Sequence, residues 1–210
     1  SIAVSGTPLE NITQQRYNIP NFYTKVNLLE EILHDKETFS RVLIFVAYKR
    51  MADRLFDKLE ELFPSETCVI HSNKTQNYRL RSIEQFREGT NRLLVATDVM
   101  ARGLDIDNVS HVINFDTPSF PENYMHRIGR TGRAFKTGAS LTFVTPADEY
   151  HIEKIQALIK QKIEKVLLPE GVEVVTTPYE ERQDMLREID RQKRKDNPDF
   201  KGAFHEKKEV

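Results

Sequence analysis

The chain has 210 residues, of which 39% are hydrophobic and 30% are charged, and its formal net charge is −1. This balance is typical of a soluble globular domain and excludes binding of nucleic acid through bulk charge, so that any such site must be a local patch. The longest purely apolar run, residues 42–48, is too short to span a membrane, and we expect no signal peptide. The single cysteine, Cys68, excludes an intrachain disulfide and fits a reducing cytoplasm.

In chain order, a turn-like opening comes first, and we interpret residues 1–13 as a linker from an upstream domain. Short apolar runs then predict buried strands over residues 42–46, 68–70, 93–96, 109–115 and 141–144. Cys68 lies in the second run and is predicted to be a buried strand thiol.

Helical periodicity separates these strands. The apolar residues at helical spacing form three groups: Met51, Leu55, Leu59 and Leu62; Leu80, Ile83 and Phe86; and Ile152, Ile155, Leu158 and Ile159, the last within a helix predicted over residues 148–163. Alternating strands and helices predict an α/β fold whose mainly parallel sheet has helices on both faces. In such folds ligands bind at the carboxyl ends of the strands.

The composition changes near residue 178. Residues 180–195 are dense in charge of both signs, and Asp-Asn-Pro-Asp at 196–199 interrupts them. We therefore divide the chain into a globular domain over 14–168 and a charged C-terminal tail over 169–210, partly helical and partly mobile. The mixed charge favours a solvated helix over an arm that binds RNA.

A basic segment, residues 126–133, has the sequence His-Arg-Ile-Gly-Arg-Thr-Gly-Arg. Arg127, Arg130 and Arg133 recur at every third position, a spacing that keeps them near one face of a helix or tight turn. A guanidinium group offers phosphate oxygens a planar fork of donors and stays charged when desolvated, and the glycines allow close backbone approach. We interpret the segment as a phosphate-binding site rather than a solvated basic face.

A second polar segment, residues 96–105, directly follows an apolar strand. Thr97 and Asp98 are therefore predicted at the carboxyl end of that strand, where a hydroxyl and backbone N–H groups can hold a nucleic-acid phosphate. Gly103 would allow close backbone approach, and Asp105 could accept a hydrogen bond from a ribose hydroxyl. Either aspartate alone would be interpreted as a helix cap, but together with the arginine segment both favour binding.

These two segments resemble motifs V and VI of superfamily 2 helicases, and the histidine that begins motif VI resembles the DEAD-box branch. Residues 43–46 with Lys49-Arg50 resemble motif IV, and Gln76 with Arg79 resembles the Gln-x-x-Arg element. The motifs keep the family's order over roughly residues 10 to 165. The chain thus resembles the C-terminal RecA-like domain of a DEAD-box ATP-dependent RNA helicase, and bacterial RhlE-like proteins are the subgroup we expect.

The resemblance implies a role for each matching residue. Arg130 and Arg133 would be catalytic arginine fingers that reach the ATP phosphates, and Asp105 would contact the nucleotide. His126 and Arg127 would couple the phosphate site to the RNA site. Contacts with the RNA backbone are expected from Gln76, Arg79, Thr97, Asp98 and Gly103. ATP and Mg²⁺ would be held mainly by an N-terminal RecA-like domain of the same protein, and no metal site is expected in this chain.

Two positions depart from the family's pattern. Ala47-Tyr48 stand where small hydroxyl residues are usual, and His71-Ser72-Asn73 lack the usual glycine. Both changes affect how RNA would be contacted. Without this glycine the backbone has less room to approach RNA closely, although the Ser72 hydroxyl could still donate a hydrogen bond.

The sequence also lacks a Gly-x-x-x-x-Gly-Lys-Thr/Ser loop, an Asp-Glu-Ala-Asp motif and a Ser-Ala-Thr motif. Because family members need these to bind Mg-ATP and place the attacking water, we expect this chain alone not to hydrolyse ATP. Its expected partners are RNA and the N-terminal RecA-like domain of the same protein, and we expect no binding to a membrane. Two alternatives stay open at this point: a DNA-acting superfamily 2 translocase, and a single-domain module that binds RNA or protein.

Overall fold

The fold is built from strands and helices that alternate along the chain. The structure, a computed structural model, describes residues 3–4, 7–101, 106, 109–132 and 138–200. Its strands are β1 (Ala3–Val4), β2 (Thr7–Pro8), β3 (Ile12–Asn18), β4 (Val42–Val46), β5 (Thr67–Ile70), β6 (Leu93–Thr97), β7 (His111–Asn114), β8 (Gly138–Val144) and β9 (Glu164–Val166). Its α-helices are α1 (Phe22–Leu33), α2 (Lys49–Leu62), α3 (Gln76–Glu88), α4 (Asp98–Ala101), α5 (Pro121–Ile128), α6 (Glu149–Ile159) and α7 (Tyr179–Asp196).

Several helix ends follow from local sequence signals. The Asn21 side chain accepts a hydrogen bond from the Thr24 backbone N–H at the start of α1, and Thr75 accepts from Tyr78 N–H at the start of α3. Pro121 occupies the first turn of α5, where its missing N–H costs nothing. Gly89 ends α3 in the left-handed region, with φ of 80°.

One parallel sheet organises the domain. Within the described ranges its strand order is β5-β6-β4-β7-β8-β3-β9, and all these strands run parallel; β1 and β2 form a separate antiparallel pair. The predicted parallel sheet is therefore confirmed. Because the strands are parallel, their carboxyl ends lie at the same edge, and the loops that follow them can form one site.

Helices cover both faces of the sheet, as predicted. Alternate side chains of β4 pack on opposite faces of the sheet. Ile44 packs in a cluster with Leu29 of α1 and Leu55 of α2. Leu43, next to it in the strand, packs in the opposite cluster with Phe86 of α3. A third cluster joins the α5 and α6 helices to β3 and β8, and it includes Ile12, Tyr124, Ile128, Val144, Ile152, Ile155 and Ile159.

The sequence did not predict β3 or β9. Strand β3 lies between β8 and β9, yet most of its side chains are polar, and several of them have hydrogen-bond partners. Tyr124 Oη donates to Gln14 Oε1 at 2.8 Å, and Arg16 Nη1 donates to Glu149 Oε2 at 2.7 Å. The predicted strand over 109–115 is shorter in the structure, at His111–Asn114, and the one over 141–144 begins earlier, at Gly138.

Two predicted inward positions were wrong. Leu80 and Leu158 are both exposed, although the helices that carry them are present. In α3 the buried side chains are Ser82, Ile83 and Phe86, and Leu80 lies beside this stripe rather than in it. Helix α6 ends at Ile159 rather than at 163, because Lys160 adopts the left-handed conformation with φ of 53°.

Helix α7 is held against the start of α1 by polar contacts. Asn21 Nδ2 donates to the Val175 carbonyl at 2.6 Å, and Glu181 Oε1 accepts from the Phe22 backbone N–H at 2.8 Å. Further along α7, the buried Gln192 donates through Nε2 to the Ala147 carbonyl at 2.9 Å. The helix predicted over 180–195 is thus present and mostly exposed, while residues 201–210 of the predicted tail lie outside the described residues. The division at 168/169 stays a prediction.

In the part of the chain that the structure describes, none of the helices combines the length and apolar character that crossing a membrane requires.

We expect Cys68 to resist modification in the folded protein. Its thiol is buried between the Ser82 and Leu93 carbonyls, and burial raises its pKa to about 12. Because the thiolate is the reactive form, a disulfide reagent at mildly alkaline pH should react slowly until urea unfolds the chain. Rapid stoichiometric labelling of the native protein would contradict this burial.

Substitution of Glu181 by Ala should lower the free energy of unfolding by about 0.5–2 kcal/mol, since it removes the acceptor for a helix-start N–H. The matched control is Glu180→Ala, in the same turn of α7 but exposed. Urea unfolding followed by circular dichroism would compare them, and equal losses would argue against the capping role.

Candidate functional site

The candidate site lies where the strands β5, β6, β4 and β7 end. These strands are adjacent in the sheet, so that the segments after them meet at one edge. His71 follows β5, Asp98 follows β6, Ala47 follows β4 and Asp116 follows β7. All of the predicted site residues within the described ranges lie at this edge or on the helices that begin or end there.

The centre of the edge is Arg127, near the end of α5. Its side chain is only 2% exposed. Nε donates to Asp98 Oδ1 at 2.6 Å and Nη2 donates to Asp98 Oδ2 at 2.8 Å, which makes a bidentate pair. Nη1 donates to Asn114 Oδ1 at 3.2 Å and to the Asp116 carbonyl at 2.7 Å. The guanidinium also lies 4.9 Å from the centre of the Phe45 ring, so one side chain joins the ends of β4, β6 and β7.

This geometry changes how Asp98 is interpreted. Both of its carboxylate oxygens accept from Arg127, and Asn123 Nδ2 approaches Oδ2 at 3.4 Å. A carboxylate so engaged is poorly placed to take part in further hydrogen bonds. The predicted RNA contact of Asp98 stays a prediction.

Beyond Arg127, the helix gives way to a turn that is mostly buried, with Arg130 partly exposed. Helix α5 ends at Ile128, and the Arg130 and Thr131 N–H groups donate to the Arg127 and Ile128 carbonyls at 3.2 and 3.1 Å. Thr131 Oγ1 donates to the Val109 carbonyl at 2.7 Å, and Gly132 follows with φ of 71°, a conformation that glycine adopts without strain.

Arg127 and Arg130, which were predicted to share one face, differ in burial but line the same depression. Arg127 is buried, whereas Arg130 is partly exposed and His126 is exposed. His126 and Arg130 line a shallow depression together with Asp98 and Ala101. Arg133, the third arginine, lies outside the described residues.

Gln76 and Arg79 lie on the first turn of α3. The Arg79 guanidinium donates to the Gln76 side-chain carbonyl, and Nη1 lies 3.3 Å from Met100 Sδ. These contacts bring α3 against α4, which follows Thr97, so that the two predicted RNA-contacting segments lie side by side. Thr97 itself is largely buried at the end of β6.

The loop over residues 71–75 is fixed to α2 by contacts that the sequence did not indicate. His71 Nδ1 accepts from Asn73 N–H at 3.3 Å, which places the ring proton on Nε2, facing Asp53 Oδ1 at 2.8 Å. Lys74 pairs with the same oxygen at 3.0 Å, and Lys49 Nζ donates to Asn73 Oδ1 at 3.1 Å. Burial acts to raise the pKa of Asp53, but the hydrogen bonds from His71 and Lys74 outweigh it and lower that pKa.

A second set of contacts fixes the segment after β4. Lys25 Nζ lies 3.1 Å from Asp116 Oδ1, while Asp116 Oδ2 accepts from Ala47 N–H at 2.9 Å. Motif order alone could not reveal this, because Lys25 and Asp116 are 91 residues apart.

The structure thus brings together Gln76, Arg79, Thr97, Asp98, His126, Arg127 and Arg130. Gly103 and Asp105 lie outside the described residues, as Arg133 does. In the ranges that the structure describes, no group of three or more His, Cys, Asp or Glu residues could hold a metal ion.

Comparisons with known proteins agree with this geometry. The family model of the helicase conserved C-terminal domain matches residues 24–135. The solved structure of Escherichia coli SrmB, a DEAD-box protein bound to the regulator RraA, superposes with a TM-score of 0.72 and 34% identity over 80% of this chain and 97% of that one. The chain is a helicase C-terminal domain of the DEAD-box family. Its fold is therefore RecA-like, and the resemblance stated from the motifs is confirmed.

The curated relatives of this DEAD-box domain are longer proteins. The RNA helicase CrhR of Synechocystis is 41% identical over 84% of this chain and 36% of its own length, and CshA of Bacillus subtilis is 41% identical over 72% and 32%. The chain thus spans about a third of these relatives. Saccharomyces cerevisiae Dbp5 bound to RNA and ADP BeF3 has a TM-score of 0.70 at 28% identity, over 90% of this chain and 48% of that one. The RhlE-like subgroup stays a prediction.

Replacing Asp98 by Asn should destabilise this DEAD-box domain by ~3 kcal/mol, because the buried guanidinium of Arg127 would lose its charged partner. The matched control is Asp57→Asn on the exposed side of α2. Urea unfolding would measure both. A loss for Asp98→Asn no larger than that for the control would mean that the pair does not stabilise the fold.

Proposed function

We propose that this chain is the C-terminal half of an ATP-dependent RNA helicase that locally unwinds RNA duplexes. The observation that carries the proposal is the bidentate Arg127–Asp98 pair, which joins motif VI to motif V at one edge of the sheet. The pair thereby fixes Arg127 of motif VI, which would sense the nucleotide, to the motif V segment, which would contact RNA. The names of CrhR and CshA as RNA helicases support the same activity.

In this proposal Arg130 and Arg133 are the arginine fingers. Arg130 is partly exposed on the turn after α5, where its guanidinium can reach a phosphate presented from outside the domain. Charge that develops on the transferring phosphoryl group would be stabilised by both arginines, an effect worth ~10³–10⁵ in rate. Asp105 would hold the ribose, and His126 would relay closure of the phosphate side to the RNA side.

The RNA track would run along Gln76, Arg79, Thr97, Asp98 and Gly103. The contact between Arg79 of α3 and Met100 of α4 supports this, because it brings the two segments together. Backbone contacts of this kind give affinity without sequence specificity, and selection of RNA over DNA would depend on 2′-hydroxyl groups. The Dbp5 structure, bound to RNA and ADP BeF3, supports a combined site of this type in the family.

ATP and Mg²⁺ would be held mainly by an N-terminal RecA-like domain. The residues described here fit that division, since they offer arginine for phosphate but no carboxylate cluster for the metal. Hydrolysis of the bound ATP would release the closed state of the two domains. Closure of the two domains would place Arg130 at the phosphates and bend the RNA strand, which destabilises a short duplex.

Arg133→Ala and Arg130→Ala in the complete protein should each reduce RNA-stimulated ATP hydrolysis by ~10³-fold or more, since each removes a guanidinium from the phosphoryl group. The control is Arg187→Ala, an exposed arginine on α7. Steady-state phosphate release with and without RNA would be measured, with thermal melting to establish folding. Normal turnover in both finger variants would contradict the proposal, as would hydrolysis by this chain alone.

A further inference from the structure

A second basic and aromatic surface lies beside the RNA track, at the start of α2. It borders a cavity of about 360 Å³ that is lined by Tyr48, Arg50, Met51 and Arg54. This lining contains two guanidinium groups and one aromatic ring and no carboxylate. We name these four residues the α2 pocket.

The side chains of the α2 pocket are available for binding. Tyr48 is 55% exposed and makes no capping hydrogen bond, although it occupies the position before α2. Arg54 lies over the Phe22 ring with its guanidinium carbon 3.6 Å from the ring centre, and the residue is exposed. Within the described ranges neither Arg50 nor Arg54 pairs with a carboxylate. Unpaired arginines beside an exposed ring are the groups that take up a phosphate and a base.

The α2 pocket is continuous with the proposed RNA track. Lys49, next to Tyr48 and Arg50, donates to Asn73 at 3.1 Å, and Lys74 pairs with Asp53 of α2 at 3.0 Å. Both contacts join the start of α2 to the loop that leads directly into Gln76. A strand that follows α3 along its first turn therefore passes Lys74 and Lys49 before it reaches Tyr48, and the one carboxylate among these contacts, Asp53, is paired with Lys74.

Helix α7 limits the pocket on its far side. Tyr48, Met51 and Arg54 also line a larger cavity of about 560 Å³, whose lining includes the carboxylates of Glu180, Asp184 and Glu188 on α7. These carboxylates repel phosphate, and approach from the side of Arg50, which does not line that cavity, is therefore favoured.

We propose that the α2 pocket binds one further nucleotide of a single-stranded RNA, with its base stacked on Tyr48 and its phosphate held by Arg50 and Arg54. This inference rests on the proposed function, because it extends the same RNA track. It also gives a role to Tyr48, where the family's usual small hydroxyl residue is absent. Stacking on an aromatic ring tolerates any base, so the added nucleotide contributes affinity without sequence preference.

The test measures binding of labelled oligouridylates of about 4 to about 12 nucleotides to the 210-residue chain by fluorescence anisotropy. Affinity should rise once the oligomer is long enough to reach Tyr48. Tyr48→Ala should abolish that rise, with a loss of about tenfold for long oligomers, while Tyr48→Phe should retain it. Arg54→Gln should reduce the slope of log affinity against log salt by about 0.7, the value for one phosphate contact on a single strand.

The control for Tyr48 is Tyr179→Ala, an exposed ring at the start of α7 outside both cavities, and thermal melting of each variant establishes folding. Gln76→Ala tests the track itself and should weaken binding at every length. If Gln76→Ala weakens binding but the Tyr48 and Arg54 variants leave the length and salt dependence unchanged, the α2 pocket is overturned and the proposed function stands. Equal losses for Tyr48→Phe and Tyr48→Ala overturn the stacking. No binding of any RNA by this chain, with RNA-stimulated ATP hydrolysis intact in the complete protein, overturns the α2 pocket alone, whereas the absence of RNA-stimulated hydrolysis in the complete protein overturns both proposals.

Discussion

The buried guanidinium of Arg127 is the constraint on which the site depends. A charge removed from water is tolerated only when its donors are satisfied, and Arg127 obtains its acceptors from Asp98, Asn114 and the Asp116 carbonyl. These acceptors belong to segments after or within different strands, so the requirement fixes the strand ends relative to α5. Arg130, which is partly exposed, lies only two residues after this helix ends.

The strands β4 to β8 and the helices α2, α3 and α6 could be predicted because apolar runs alternate with helical periods along this part of the chain. Strand β3 could not, since its Gln and Arg side chains do not form a hydrophobic pattern and are satisfied by partners such as Glu149, 133 residues away. Leu80 and Leu158 show the opposite limit. An apolar residue near a helical stripe need not lie on it, and only the tertiary packing decides which side it takes.

The site shows the same division between what is local and what is not. Motifs V and VI were recognisable because their residue types follow one another along the chain, and the family and the fold were then confirmed. The burial of Arg127 was not predictable, because an arginine in a basic segment is expected at the surface, and its partners lie 11 to 29 residues away. The DNA-translocase alternative loses support because the matching relatives include DEAD-box RNA helicases. The ion pair between Lys25 and Asp116 is another long-range contact that the sequence could not reveal.

The position of β3 has a consequence for the order in which the chain folds as it is synthesised. Strand β3 emerges early, yet both of its neighbours, β8 and β9, are made more than a hundred residues later, and the start of α1 receives Glu181 only 159 residues after Phe22. Loop closure over such separations is slow compared with the pairing of β4, β5, β6 and β7. We therefore expect the strands in the middle of the chain to associate first on the ribosome, while β3 stays unpaired until β8 and β9 have been synthesised.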